Sequence, residues 1–373
     1  MPRWLIFVIS VLVAAFAGWS FWRALPAPQA PLADPIVVSE VGNRTGANLI
    51  AVEPVMHTGD YTGTEAFTAR QASYLEAARE AGMLTPRTVA VFPEHIGTWL
   101  VTAGAPRGVY QAETVEGAMT ALIVANPLPY AGSFLASDEP DRAAAAVFRM
   151  RSADMARRYQ TAFSTLAREF DITIVAGSVV LAGAHVEDGR IRTREDGALE
   201  NVSAVFAPDG SVHRALVRKV YPIPSEAGFT AAAGLEDYPV FDTPAGRLGV
   251  LICADSWHPD VYAALGDAEL LAVPAFLQPD GVWGQPWGGY VTPWPDDAPR
   301  EDAGRLTEGE AWTTHALAGR LQNTSARAGI TAFLGGSLWG MGSDGAAIAV
   351  NDNGVHTAHR TSGGQVLVLW VGD

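Results

Sequence analysis

Residues 247–262 read RLGVLICADSWHPDVY, and this stretch decides the fold. An apolar run of strand length ends on Cys253, the chain's one cysteine. A short polar turn follows, and Pro259 then opens a helix that runs to Gly266. Proline suits a first helical turn, where its missing N–H has no intrahelical partner to lose. A strand, a reactive side chain and a helix in that order are a unit of an α/β sheet, in which ligand sites gather at the carboxyl ends of strands.

The pattern recurs on either side. NLIAVEPV (48–55), TVAVFPE (88–94), ITIVAGSVVL (172–181), ALVRK (215–219), ELLAVPA (269–275), TAFLGGS (331–337), AAIAV (346–350) and QVLVLWV (365–371) read as strands. Helical spacing marks residues 65–81, 152–170 and 312–328, and turn signals at 187–189 and 208–210 mark hairpins. Helices alternating with strands and a few hairpins predict an α/β layered domain with a mixed sheet. Two long stretches, 98–146 and 278–309, read as insertions of the kind that form lids or linkers. The first holds the apolar run AMTALIVANPLPYAGSFL (118–135), which either roofs a pocket or rests on a membrane. The second gathers Trp283, Trp287, Tyr290 and Trp294; Trp283, Trp287 and Trp294 form a candidate substrate lid, with ordinary packing as the alternative.

Composition narrows the function classes. The chain has 373 residues, 49% of them hydrophobic, enough for a substantial core. A formal net charge of −15 repels nucleic acid and anionic headgroups, and no dense Lys/Arg run offsets it. One cysteine allows neither an intrachain disulfide nor a cysteine-based zinc cage. Taken alone it is as readily a small buried hydrophobe as a reactive group.

The N-terminus has its own signature. Residues 4–22, WLIFVISVLVAAFAGWSFW, carry no charge and approach the roughly 20 residues that cross a bilayer as a helix. Arg3 and Arg23 flank them, and Trp4, Trp19 and Trp22 sit near the ends, at the depth of an aromatic belt. PAPQAPLADP (26–35) follows as a proline-stiffened linker. The expected organisation is an anchor or signal at 1–23, a linker at 24–46 and a catalytic domain at 47–373. Single-pass membrane attachment with the domain outside the cytoplasm is favoured, because each flank carries one arginine and the terminal amine adds positive charge on the N-side; secretion after signal cleavage is the rival.

Three polar residues end three apolar runs: Glu94 after VAVFP, Lys219 after ALVR and Cys253 after LGVLI. A thiol is a strong nucleophile once deprotonated, and a carboxylate raised by burial can take its proton. An ammonium and the backbone N–H of Ala254 can stabilise the oxyanion of a tetrahedral intermediate, at about 3 kcal/mol per donor. The helix after Cys253 is expected to favour the thiolate through its dipole.

VFPEHIGTW (91–99), LVRKVYPIPSE (216–226) and GVLICADSWHPDVY (249–262) together resemble the three signature segments of the nitrilase, or carbon–nitrogen hydrolase, superfamily. The resemblance spans the chain beyond the linker. It implies a four-layer αββα sandwich, with Cys253 as nucleophile, Glu94 as general base and Lys219 as oxyanion stabiliser. It further implies an acyl-enzyme hydrolysed by water, no metal or organic cofactor, and pairing of copies through the sandwich faces. Glu226 matches a second glutamate that orients the lysine and the substrate amine, although it stands about one residue closer than in the commonest form. Ala254 departs from the aromatic residue often found after the nucleophile. Asp255 matches amidase-like and carbamoylase-like members, so the expected substrate is a small amide or carbamoyl compound rather than a nitrile.

The alternatives weighed are nitrile hydrolysis, an N-acyltransferase using the same Glu–Lys–Cys set, and a non-catalytic anchored binding protein. A Cys253–His258 pair, a His356–His359 metal pair and a glycine-rich nucleotide loop in FLGGSLWGMGSDG (333–345) are weaker readings. Asn43, Asn201 and Asn323 fall in glycosylation-type triplets that arise readily by chance. His95, next to Glu94, has no assigned role.

Overall fold

The structure, a computed structural model, describes residues 2–31, 34–44 and 46–372. The linker read at 24–46 therefore lies partly outside the described residues.

Two six-stranded sheets stack face to face. The first runs in the order Val37–Val41, Gln365–Val371, Ala47–Glu53, Thr88–Val91, Thr173–Val175, Val205–Phe206. Its centre is parallel, with Ile50 opposite Ala90 and Ala90 opposite Ile174. The second runs Val240–Thr243, Gly246–Val250, Leu270–Ala275, Ala328–Phe333, Ile348–Asn351, Gly354–Thr357; its centre is also parallel, and its edges are antiparallel. The central strand Ala47–Glu53 is buried at every position, as a strand covered on both faces must be. Leu49, Ala51, Val89 and Val91 pack toward the second sheet, while Ile50, Val52, Ala90 and Phe92 pack outward.

Helices cover the outer faces, apart from the N-terminal one and the one at 127–136, which bury none of their residues. They are α1 (Arg3–Ala24), α2 (Thr64–Glu80), α3 (Arg107–Tyr110), α4 (Val115–Ala125), α5 (Pro127–Ala136), α6 (Arg142–Phe170), α7 (Pro259–Ala264), α8 (Glu308–His315) and α9 (Leu317–Arg320). Phe67 and Tyr74 of α2 and Phe163 and Leu166 of α6 close the first sheet's outer face. On the second sheet, Gly249 and Gly329 lie under Leu265 and Leu317; a Cβ at either glycine would come within 3 Å of that leucine. The expected αββα sandwich is thus the architecture found. A three-stranded antiparallel sheet, Val217–Arg218, Leu199–Ser203, Val179–Ala182, extends it at one edge.

Several sequence expectations change. The helix expected at 312–328 is two short ones: Ala316 is extended (φ −91°, ψ −154°), and Ala328 already begins a strand. The strand expected at 172–181 splits at Gly177 into pieces that join different sheets. The helix at 152–170 begins earlier, where Asp141 caps Ala144 N at 3.0 Å. Val37–Val41 pairs in parallel with Gln365–Val371, and Arg70 Nη2 donates to the Pro31 carbonyl at 2.6 Å, so these residues lie against the body.

α1 has 22 residues and buries none of them. At 1.5 Å per residue it is about 33 Å long, against a hydrocarbon core of about 30 Å. Its length and composition fit both a membrane span and a signal sequence.

Candidate active site

Each of the three expected side chains stands just past a strand, and the sheets bring them together. The strand Thr88–Val91 runs into Pro93 and Glu94 and turns at His95, whose φ is 59°. His95 N donates to Ser178 Oγ and Gly97 N to Ser178 O, each at 2.9 Å. Gly177, at φ 64°, lies so close that a Cβ there would be 2.1 Å from the Pro93 carbonyl oxygen. Only glycine meets both conditions. Lys219 follows Val217–Arg218, and its N–H donates to Asn201 O at 2.9 Å.

Cys253 follows Gly246–Val250 by way of Leu251 and Ile252 and opens a 3-10 turn, Cys253–Trp257, at φ 50°. A non-glycine residue held there carries strain of roughly 1–3 kcal/mol, a condition that clusters at functional sites.

The buried ammonium of Lys219 is the centre of the arrangement. Its Nζ donates to Glu94 Oε1 at 2.7 Å and to Glu226 Oε2 at 2.5 Å. Asn201 Nδ2 donates to Oε1 of both glutamates at 3.0 Å. His95 Nε2 lies 2.7 Å from Glu226 Oε1, and its Nδ1 lies 3.0 Å from Thr98 Oγ1. Asp255 Oδ1 accepts from the N–H groups of Val220 and Tyr221 at 3.0 and 2.9 Å, tying the cysteine turn to the lysine segment.

The charges follow from these contacts. Burial pulls the Lys219 ammonium toward deprotonation, but Glu94, Glu226 and the Cys253 sulfur outweigh it and hold its pKa well above the ordinary lysine range. Burial pushes the Glu226 carboxyl up, yet Lys219 and His95 overcome that and leave it far below the ordinary carboxylate range. Burial pushes the Cys253 thiol up, the Glu94 charge adds to this, and Lys219 only partly opposes it, so the thiol is held well above its ordinary value. The Cys253 Sγ lies 3.8 Å from the Phe276 carbonyl oxygen. The expectation that a helix dipole favours the thiolate is therefore corrected. α7 starts only at Pro259, and the intervening turn is too short to carry a dipole of consequence.

Glu94, Glu226, Cys253 and Ala254 face one cavity of about 1070 Å³, at the large end of the roughly 300–1,000 Å³ usual for ligand pockets. Both sequence insertions line it. Met119 and Ile123 of α4 form one wall, and Trp287, Tyr290 and Thr292 another. Of the three candidate lid residues only Trp287 reaches the cavity. Trp283 packs edge-on to Phe333, and Trp294 packs behind Trp287, its Nε1 donating to Ala298 O at 2.8 Å. Glu94, His95 and Glu226 present ligand atoms within 4.8 Å of one another, a spacing that a metal ion could use. The Lys219 ammonium already sits between the two carboxylates, where such a cation would be drawn.

Asn201 and His95 were missed in the sequence. Asn201 looked like part of a glycosylation triplet, but it is fully enclosed and gives its amide to the site. Its link to Lys219 runs through the pairing of Leu199–Ser203 with Val217–Arg218, a register that sequence spacing does not reveal. For His95 the available signal was its adjacency to Glu94. His258 is no partner for the thiol: its ring stacks on Tyr221 at 3.6 Å, and its Nε2 meets Thr292 Oγ1 at 2.8 Å. His356 lies on the exposed edge strand Gly354–Thr357.

The carbon-nitrogen hydrolase family profile matches residues 72–291, more than half of the chain, and the match includes all four of Glu94, Lys219, Glu226 and Cys253. No curated protein matches the chain in sequence. Solved structures share the fold at low identity. An amidase from Nesterenkonia sp. AN1, with acrylamide added to its active-site cysteine, aligns with a TM-score of 0.51 at 14% identity, over 87% of this chain and 93% of that one. The same amidase carrying the acetamide moiety of fluoroacetamide on that cysteine aligns at 0.52 and 14%, over 91% and 92%. Saccharomyces cerevisiae Nit3, a member of branch 10 of the nitrilase superfamily, aligns at 0.50 and 16%, over 90% and 92%.

Proposed function

Because the chain belongs to the carbon–nitrogen hydrolase family, and so is an enzyme of the nitrilase superfamily, we propose that it hydrolyses an amide-type carbon–nitrogen bond through a thioester on Cys253. The observation that carries this reading is the buried Lys219 ammonium bridging Glu94 and Glu226 at the wall of a cavity that also holds the thiol. The solved neighbours include an amidase that uses an active-site cysteine, and this points the substrate class toward amides.

Charge balance argues for the order of events. Two carboxylates and one ammonium already leave the pocket short of positive charge, so a free thiolate would add a second buried negative charge. The thiol therefore stays protonated until attack. As Sγ bonds to the carbonyl carbon, its proton passes to Glu94, and the total charge of the pocket is unchanged. The oxyanion that forms is met by Lys219 and by the N–H of Ala254. Glu94 returns the proton to the nitrogen, the C–N bond breaks and the amine leaves. Water, giving its proton to Glu94, then attacks the thioester carbonyl and releases the acid and the thiol. Glu226, His95 and Asn201 hold Lys219 and Glu94 in place. The catalytic domain is tethered by α1 as a single span, a reading supported by the length of α1 and its uncharged interior, and it faces away from the cytoplasm, a reading that rests on the positive charge of the N-terminal amine alone.

The test is turnover of an amide panel by the wild type, Cys253→Ala and Cys253→Ser. The reading expects a loss of at least roughly 10³-fold in both variants; unchanged turnover would refute it.

A further inference from the structure

We propose that the corner between α4 and α5 is a second membrane contact, set into the bilayer face that α1 crosses, so that the rim of the cavity stands at headgroup level. The proposal rests on reading α1 as a membrane span.

The corner has no use for its composition in water. No charged residue occurs from Gly117 to Ser137. α5 buries none of its residues, and Leu128 and Leu135 are 83% and 80% exposed. Every exposed position from Val124 to Ala136 lacks a polar side chain. Tyr130 and Phe134 turn toward the body, where Arg142 lies over the Phe134 ring, but the outward side is apolar throughout, and that is not how a water-facing surface is built. α4 and α5 meet at 107°, which makes their junction a blunt projecting corner rather than a flat face.

Contact with α1 fixes what covers it. Trp19 Nε1 donates to the Val124 carbonyl at 3.1 Å. Trp22 lies against Gly108, where a Cβ would be 2.9 Å from its Nε1. Trp19 stands four residues before Arg23, about 6 Å along the helix. If Arg23 marks the membrane surface, Val124 lies about that far beneath it. This is within the roughly 5–10 Å to which interfacial helices sink, and both tryptophans fall in the aromatic belt. The overall charge of −15 disfavours an anionic headgroup layer, so the contact is apolar rather than electrostatic.

The same helix borders the cavity. Met119 and Ile123 line it from within, and the exposed Glu116 and Thr120 stand at its rim. Thr120 is four residues, about one helical turn, from Val124.

The test uses the full chain with Cys253→Ala, so that a single introduced cysteine carries an environment-sensitive fluorophore. Positions are Phe7→Cys on α1, Leu128→Cys and Leu135→Cys at the corner, and Asn353→Cys on a distant exposed turn. The protein is reconstituted in phosphatidylcholine vesicles with and without brominated acyl chains. The expected result is at least twofold quenching by the brominated lipid at 7, 128 and 135, and none at 353. Quenching at 7 with iodide-accessible probes at 128 and 135 overturns the proposal while leaving the span intact. Probes at 128 and 135 shielded from both quenchers mean that protein covers the corner, and this also overturns it. Absence of lipid quenching at 7 refutes the span itself, and the second contact with it.

Discussion

Lys219 shows how much one buried side chain determines. Its ammonium bridges two buried carboxylates and opposes the push toward protonation that burial gives Glu226. Replacing it by methionine leaves both uncompensated, and breaking a buried pair in this way costs about 3–5 kcal/mol. Lys219→Met is therefore expected to unfold at a lower temperature at pH 7 and to recover part of the loss as the pH falls. The sign follows from Glu226. With Lys219 present its pKa is depressed, so its contribution to stability is held above the ordinary carboxyl range and lost as pH falls through the depressed value. Without Lys219 the Glu226 carboxyl instead gains from protonation. Thermal melts from pH 4 to 8 check this, and equal losses at all pH values would contradict it. Glu94→Gln keeps the shape and removes the proposed base; turnover is expected to drop roughly 10²–10⁴-fold, measured on whichever amide the wild type accepts. Glu94, Lys219 and Cys253 were legible in the sequence because each ends an apolar run. Asn201 and His95 were not. A buried amide is recognisable only once strand pairing puts it beside its partners, and a histidine after a catalytic-looking acid has many other uses.

Elements carry the next level of the argument. The Glu94 turn is shaped by Gly177, in the break after the neighbouring strand, and Gly177→Ala adds a Cβ where the Pro93 carbonyl already lies. The turn must move, so turnover is expected to fall more steeply than stability, read from kcat beside the melting temperature. The same glycine explains why residues 172–181 looked like one strand: the apolar run is continuous, but the backbone turns at φ 64° in its middle. Strands of the core were readable because burial on both faces gives unbroken apolar runs, as in Ala47–Glu53. Helix ends were less so. Residues 312–328 keep a helical spacing across Ala316, and only tertiary packing shows that the chain extends there and re-enters the second sheet. Asp255 joins two elements and bears a cost for it. Burial pushes its carboxyl up to about 7, with Lys219 and two backbone amides only partly opposing. A raised carboxyl makes the folded state hold its proton longer than the unfolded chain, so stability falls as pH rises from about 4 to about 7. Asp255→Asn retains an acceptor for Val220 and Tyr221 and is expected to remove that decline, worth roughly 2–4 kcal/mol by pH 8. Melting curves of the two proteins at pH 5 and pH 8 decide it.

At the scale of the whole molecule, the αββα sandwich sets a reactive corner where strand ends from both sheets meet, and the two insertions build the cavity over it. The layer order was legible from alternating strands and helices together with the three signature segments. The cavity was not, because α4 and α5 read as one apolar run and the tryptophan-rich segment as a loop of undecided purpose. Packing sorts them. Trp287 faces the cavity, whereas Trp283 and Trp294 support it from behind. The account's central claim is that Cys253 accepts the acyl group. It is tested most directly by intact-mass analysis of the full chain quenched during turnover of an amide library. The account predicts a mass increase equal to substrate minus amine, mapped to the peptide that contains Cys253 and absent in Cys253→Ala. Turnover that persists in Cys253→Ala, or an acyl adduct on any other residue, would contradict it.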